Sequence, residues 1–197
     1  MFVVYTEDMK TWAKSGFTVV ELVIVIVVIG ILATITIVSY KNVQKTARAT
    51  AIISGIETVK EAFNLASTKQ NLGTWPLDTE LNGVNNPYLE DVVDPATTVG
   101  TVTDYGRLLR GYLPALPKVN GLALKWQYDH DSGANGSRAV GVCGGAWSGV
   151  SLAIYGVPAD IVQEIDKTID DGDTTCGDVM ISGTAMMYQL SYAPELK

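Results

Sequence analysis

One long apolar stretch dominates the hydrophobic pattern of the chain. Residues 17–40 read FTVVELVIVIVVIGILATITIVSY, and only a few hydroxyl side chains and one carboxylate interrupt them. A helix needs about 20 apolar residues to cross the hydrocarbon core of a bilayer, so this stretch is long enough. It is rich in β-branched residues, but an open strand in lipid would leave its backbone groups unpaired. The pattern therefore predicts a membrane-spanning helix over residues 17–40.

A second apolar pattern follows this stretch and has helical spacing. Apolar residues recur in steps of three or four along one face, namely Ile52, Ile56, Val59, Phe63 and Ala66. Such a stripe is typical of a helix that buries one face. We expect one helix from Phe17 to about Asn71, ended by Gly73 and followed by Pro76. Its second half, residues 41–72, is then a soluble stem.

The remaining residues, 73–197, have the composition of a globular head. Residues 73–120 are rich in turn signals and form an irregular connector with one short helix, Asp104–Tyr112. Residues 121–197 hold short β-rich runs, a helix over Pro158–Ile169 and a C-terminal loop. The predicted strands are Leu122–Tyr128, Ala139–Cys143, Val150–Tyr155, Asp178–Ser182 and Met186–Tyr192. This order indicates an α+β fold, with an antiparallel sheet of four or five strands laid against the stem.

The charge of the chain is unevenly distributed. The net charge of −7 combines +2 over residues 17–71 with −9 over residues 72–197. Nucleic-acid binding requires clustered Lys and Arg, so the acidic head argues against direct nucleic-acid binding. The sequence also has no nucleophile elbow, phosphate loop, CxxC or paired-His motif. We therefore expect that the protein is not an enzyme.

Glu21 is the exceptional residue of the apolar stretch. An ionised carboxylate in a membrane requires a partner or a function, and a plain single-pass anchor does not explain it. A removable secretory signal is a second alternative, but its apolar region is usually about 7–15 residues long. A cut between Gly16 and Phe17 would create an α-amino group one helical turn from Glu21. That amine is largely cationic at neutral pH and would compensate the carboxylate in low dielectric, within one chain or between neighbours.

The segment from Lys14 to Val25, KSGFTVVELVIV, resembles the class III signal of type IV pilins and pseudopilins. The resemblance rests on the Gly before the cut, the aromatic first residue, the Glu five residues into the mature chain and the long apolar run. It implies that residues 1–16 are a leader removed by prepilin peptidase, which cuts between Gly16 and Phe17. It further implies N-methylation of Phe17 and a role for Glu21 in filament assembly.

The same resemblance implies partners and a location for the protein. The partners are further copies of the chain and other pilins in a helical filament, prepilin peptidase, an inner-membrane assembly platform and the membrane itself. The subunit is expected first as a single-pass cytoplasmic membrane protein and then in an extracellular surface filament. Minor pilins and pseudopilins of secretion or DNA-uptake systems share these features. A membrane-anchored binding module that never polymerises is the rival from another class, and an anchored enzyme is the third.

Two features of the head concern its loops. Cys143 and Cys176 are the two cysteines, and they form a disulfide if the head lies outside the cytoplasm, or stay as free thiols in a reducing compartment. The acidic loop near Cys176 resembles the Asp-Asp-Gly loop of pilin heads. Oxygen ligands for Ca²⁺ are available from Asp170, Asp171, Asp173 and Asp178, without the EF-hand spacing. A weaker cluster comprises Asp129, Asp131 and Asn135, beside the single His130. A solvated acidic turn is the simpler interpretation, so no cofactor is required.

Overall fold

A computed structural model describes residues 16–73, 75–83, 87–94, 96, 102–131 and 149–191 of the chain. The chain divides into two compact units, Met1–Asn42 and Val43–Lys197. The helices are α1 (Val19–Lys69), α2 (Thr79–Asn82), α3 (Leu89–Val93), α4 (Asp104–Tyr112) and α5 (Ala159–Ile169). The strands are β1 (Lys125–Asp131), β2 (Gly149–Tyr155), β3 (Val179–Ser182) and β4 (Ala185–Ser191).

Helix α1 confirms the predicted long N-terminal helix to within two residues at each end. In the first unit, every described apolar side chain of the helix is exposed on the isolated chain. The hydroxyls of Thr34 and Thr36 donate to the backbone carbonyls of Gly30 and Leu32, each over 2.8 Å. Because these bonds form within the helix, the two threonines need no outside partner in an apolar environment.

In the second unit, α1 buries the predicted apolar stripe. Ile52, Ile56, Val59, Phe63 and Ala66 are all nearly or completely buried, which confirms the periodicity. Gly55 lies on this face, where an added Cβ would stand 2.8 Å from the Pro117 side chain and 3.1 Å from Trp126. The missing side chain therefore lets the connector and β1 approach the helix closely.

The end of α1 differs from the prediction in its mechanism. Asn71, rather than Gly73, adopts the left-handed conformation, with φ of 58°. The Leu72 N–H donates to the Ser67 carbonyl over 2.9 Å, and the Asn71 N–H donates to Thr68 over 3.1 Å. This pair of bonds is a Schellman motif, which satisfies carbonyls that the helix end leaves free. Leu72 packs against the core beyond it.

The connector is more helical than predicted. Helix α4 matches the predicted Asp104–Tyr112, and the Thr103 side chain caps it by accepting from the Gly106 N–H over 3.1 Å. The prediction of an otherwise irregular connector was wrong, because α2 and α3 also form there. Both are only four or five residues long, so they lack the turns over which an apolar period becomes visible in a sequence.

The described strands form one antiparallel sheet in the order β1-β2-β4-β3. The predictions for β2, β3 and β4 are confirmed to within one residue, whereas the first strand lies three residues later than predicted. Strand β2 ends at Tyr155, opposite Lys125, so Leu122–Leu124 has no ladder partner among the described residues. The predicted strand Ala139–Cys143 lies outside the described residues.

An aromatic cluster joins the stem to the sheet. Phe63 of α1 stacks on Tyr128 of β1, with ring centroids 4.8 Å apart and planes 12° apart. Trp75 and Tyr105 flank Phe63 at 5.9 and 6.3 Å. The Tyr105 hydroxyl contacts the buried hydroxyl of Ser67 at 2.8 Å, so that polar group is satisfied. The fold is therefore α+β, with a long N-terminal helix packed against a four-stranded antiparallel sheet among the described residues, as predicted.

Two substitutions distinguish Gly73, which was predicted to end α1, from Asn71, which adopts the left-handed conformation there. We expect Asn71→Ala to destabilise the protein by about 1 kcal/mol, because alanine tolerates the left-handed region poorly. Gly73→Ala should change stability by less than about 0.5 kcal/mol, since an added Cβ meets nothing within 4 Å. Thermal unfolding of the full chain in detergent would measure both. Equal losses for the two variants would contradict the assignment to Asn71.

Candidate functional site at the start of the N-terminal helix

The first turn of α1 is held together by a reciprocal pair of side chains. The Thr18 backbone N–H donates to Glu21 Oε2 over 2.8 Å, and the Thr18 hydroxyl donates to the same oxygen over 2.7 Å. The Glu21 N–H lies 3.3 Å from Thr18 Oγ1. Together these contacts form a capping box, in which an N-terminal Thr and the Glu three residues later satisfy each other's backbone N–H.

The capping box supplies a partner for Glu21 that the sequence analysis missed. The signal was present, because Thr-x-x-Glu before an apolar run is a helix-start pattern. The position of Glu21 in the first turn also suits the positive end of the helix dipole. Both hydrogen bonds are accepted by one carboxylate oxygen, Oε2, and they do not neutralise the charge. Neither ion pair found among the described residues involves Glu21.

The predicted cleavage position directly precedes this turn. Gly16 and Phe17 lie in irregular backbone before the helix, and both are exposed. Phe17 retains 89% of its accessible surface, and nothing lies within 4 Å of a Cβ added at Gly16. Both residues are therefore exposed in the described part of the isolated chain. Residues 1–15 lie outside the described residues.

The surface that follows the capping box is apolar on every side. Exposed Val, Ile and Leu side chains cover the helix from Val19 to Val43, most of them about half exposed or more. Judged by length and composition, α1 is the one helix in the described part of the chain that could span a bilayer, and an 18-residue stretch of it has a mean hydropathy of 3.0. Such a surface requires either lipid or other apolar helices around it.

The acidic loop after α5 is arranged differently from the prediction. Asp170 and Asp171 come together with Asp166, which the sequence analysis did not select, and one carboxylate oxygen of each lies within 4.8 Å of the others. Asp173 instead accepts hydrogen bonds from the N–H and hydroxyl of Thr175. Asp178 follows this loop, where its N–H donates to Asp170. The apolar spacing of α5 could have indicated from the sequence that Asp166 is buried, because Asp166 lies on the same helix face as the buried apolar residues.

The other candidate residues of the head are His130 with its weak acidic cluster, and the two cysteines. His130 lies on the buried side of β1, and its backbone N–H donates to Asp78 over 2.8 Å. Of its weak acidic cluster, Asn135 lies outside the described residues. Cys143 also lies outside them, so a disulfide with Cys176 stays a prediction.

These observations define a class of protein. A long apolar helix at the N-terminal end, joined to a small antiparallel sheet, is a pilin-like architecture. The chain is 36% identical over 103 residues to the fimbrial protein EcpC of Eikenella corrodens. The match covers 46% of this chain and 61% of that protein, so the chain spans less than two thirds of its relative's length. No protein-family model matches the chain, and no solved structure matches it significantly.

The capping box can be tested without changing the charge. We expect Thr18→Val to weaken the helix start by about 1 kcal/mol, because the substitution removes the hydroxyl that caps it. Hydrogen exchange at the Glu21 amide should then be about fivefold faster in the full chain in detergent micelles. Thr18→Ser retains the hydroxyl and is the matched control, with exchange close to that of the parent chain. Unchanged exchange in Thr18→Val would contradict the role assigned to Thr18.

Proposed function

We propose that this chain is a structural subunit of a type IV pilus or pilus-like filament. The observation that carries the proposal is the apolar N-terminal helix, which is exposed all round and bears one carboxylate in its first turn. The likeness to a fimbrial protein also supports it. A subunit of this kind is first held in the membrane, where lipid covers its apolar helix surface. In the filament, the helices of other subunits cover the same surface.

The subunit is first processed at its N-terminus. Prepilin peptidase removes residues 1–16 by hydrolysing the bond between Gly16 and Phe17, and Phe17 is then N-methylated. The exposure of both residues supports access to this bond. The product carries a cationic α-amino group directly before the capping box. No basic side chain occurs from Phe17 to Tyr40, so this amine is the one positive charge in that stretch of the sequence.

Glu21 then acts as the charge that orders assembly. In the single subunit, Thr18 donates two hydrogen bonds to Glu21 Oε2, but the negative charge is still present. When subunits stack, the Phe17 amine of one chain meets Glu21 of its neighbour. An unpaired charge in low dielectric is unfavourable, whereas a paired one is tolerated, so the correct register is favoured over others.

The location of the subunit follows from the same helix. Residues 17–40 hold the subunit in the cytoplasmic membrane before assembly, where it meets the inner-membrane assembly platform. The helix is then transferred into a surface filament made of copies of the chain and other pilins. The net charge of −9 over residues 72–197 disfavours direct nucleic-acid binding by the head. The likeness to a fimbrial protein supports a structural rather than an enzymatic role.

The decisive variant removes the charge of Glu21 and keeps its hydrogen bonds. Glutamine also serves at this position of a capping box, so Glu21→Gln should preserve the helix start. We expect the yield of surface filaments to fall by about tenfold or more, while the subunit still accumulates in the membrane. Electron microscopy and immunoblotting of sheared filaments would measure the two quantities.

Glu61→Gln is the matched control, because Glu61 is an exposed carboxylate in the soluble part of the same helix. It should leave the filament yield unchanged. If Glu21→Gln assembles as well as the parent chain, assembly does not depend on this charge. If the parent chain itself forms no filaments, the chain is a membrane-anchored module that does not polymerise. Loss of assembly in both variants would also contradict a specific role for Glu21.

A further inference from the structure

Arg48 of α1 differs from the other described arginines, because its guanidinium has no partner. Arg107 donates to Asp104 over 3.0 Å, and Arg110 donates twice to the Val92 carbonyl. The guanidinium of Arg48 makes no hydrogen bond and no ion pair with the residues that the structure describes. Arg48 is nevertheless partly buried. A guanidinium has five N–H donors, so in this position they are available to a ligand.

A cavity of about 270 Å³ lies beside Arg48 in the second unit. One face of α1 and the loop before β1 line it, through Gln44, Ala47, Arg48, Ala51, Val119 and Asn120. The two alanines leave space against the helix, and the two side-chain amides add further hydrogen-bond donors. A second cavity, of about 560 Å³, is lined by residues 117–124 and shares Val119 and Asn120 with the first. The loop therefore offers one continuous concave region beside the guanidinium.

The loop holds the guanidinium in place at Gly121. The Leu122 N–H donates to the Val119 carbonyl over 3.1 Å, which closes a tight turn with Asn120 and Gly121 at its centre. Gly121 has φ of 77°, a conformation that other residues rarely adopt. A Cβ added there would stand 2.8 Å from Arg48 Nη2. The glycine thus permits the turn and leaves room for the guanidinium against it, so Arg48 is positioned before any ligand binds.

The charge of this region is opposite to that of the head as a whole. Residues 72–197 carry a net charge of −9. None of the described residues that line the two cavities is acidic, whereas Arg48 lines the first and the exposed Lys118 lines the second. A guanidinium can donate two parallel hydrogen bonds to two oxygens of one phosphate group. The region therefore suits an anion with several oxygens, such as a phosphate ester.

The sequence places this region directly after the predicted membrane span. Gln44 and Arg48 follow Tyr40, the last residue of that span, by four and eight positions. These separations correspond to about one and two helical turns. The polar headgroups of a bilayer begin where its hydrocarbon core ends, and anionic headgroups attract basic side chains next to a span. Lipid phosphates are thus the phosphate esters that lie nearest to this part of a membrane-held subunit.

We propose that Arg48, together with Gln44 and Asn120, binds the headgroup phosphate of an anionic phospholipid. Lys118 adds a second positive charge to the attraction. The contact holds this part of the head at the membrane surface before assembly, and it is released when the subunit leaves the membrane. The inference rests on the proposed membrane location of the subunit, but it does not require filament formation.

The test is thermal unfolding of the full chain in zwitterionic detergent with two short-chain lipids. Dihexanoylphosphatidylglycerol is the anionic probe, and dihexanoylphosphatidylcholine is its zwitterionic match. At about ten times its dissociation constant, the anionic lipid should raise the melting temperature by about 3–6 °C, whereas the zwitterionic lipid should not. Arg48→Gln should weaken binding of the anionic lipid by about tenfold or more, because it removes the charge and the paired donors.

Two further variants control for a folding defect and for a general charge effect. Without lipid, Arg48→Gln should melt as the parent chain does, because its guanidinium has no partner in the described part of the protein. Lys118→Gln changes an exposed side chain, so it should fold normally and weaken lipid binding to a smaller extent. Arg107→Gln removes an exposed arginine that already pairs with Asp104, and it should retain the full shift.

Four results would overturn the proposal. The anionic lipid gives no larger shift than the zwitterionic one, Arg48→Gln binds it as the parent chain does, or Arg107→Gln weakens binding as much as Arg48→Gln. An equal shift with inorganic phosphate at the same concentration would exclude recognition of a lipid. If Arg48→Gln keeps lipid binding but lowers filament yield, the guanidinium pairs with a carboxylate of a neighbouring subunit instead. Membrane fractionation of the parent chain tests the proposed location separately, since lipid binding is measured in detergent.

Discussion

A single carboxylate at the start of an apolar helix is the constraint on which this protein depends. Thr18 provides Glu21 with hydrogen bonds, which lets the helix begin cleanly at Val19. Hydrogen bonds do not remove a charge, however, and an isolated charge in lipid is unfavourable. The capping box therefore supplies hydrogen bonds but no countercharge, and the compensating amine proposed at Phe17 would supply that charge when subunits pack together.

The two parts of helix α1 differ in how their apolar side chains are distributed around the axis. From Val19 to Val43 the apolar side chains surround the axis, as a helix in lipid or in a helix bundle requires. From Ala49 onward they narrow to one stripe, which the aromatic cluster around Phe63 covers. Both patterns can be read from the sequence, because side-chain periodicity depends only on helix geometry. The bounds of α4, α5 and three of the four strands followed from local signals in the same way.

The features that could not be read from the sequence depend on tertiary contacts or on competing local signals. The start of β1 is set by the end of its partner strand, which no local pattern encodes. Asn71 and Gly73 were both available to end α1, and only the backbone bonds select Asn71. The Asp170–Asp171 pair was recognisable as acidic, but Asp166 joins it only because α5 packs that face into the core. The capping box, in contrast, depends on a local Thr-x-x-Glu pattern that can be read from the sequence.

The most direct test of the central claim is mass spectrometry of the N-terminal peptide from purified surface filaments. If the chain is such a filament subunit, the peptide begins at Phe17 and carries one additional methyl group on its α-nitrogen. This result would report processing, modification and filament membership together. A chain that retains Met1 and stays in the membrane, absent from the filaments, would contradict the account.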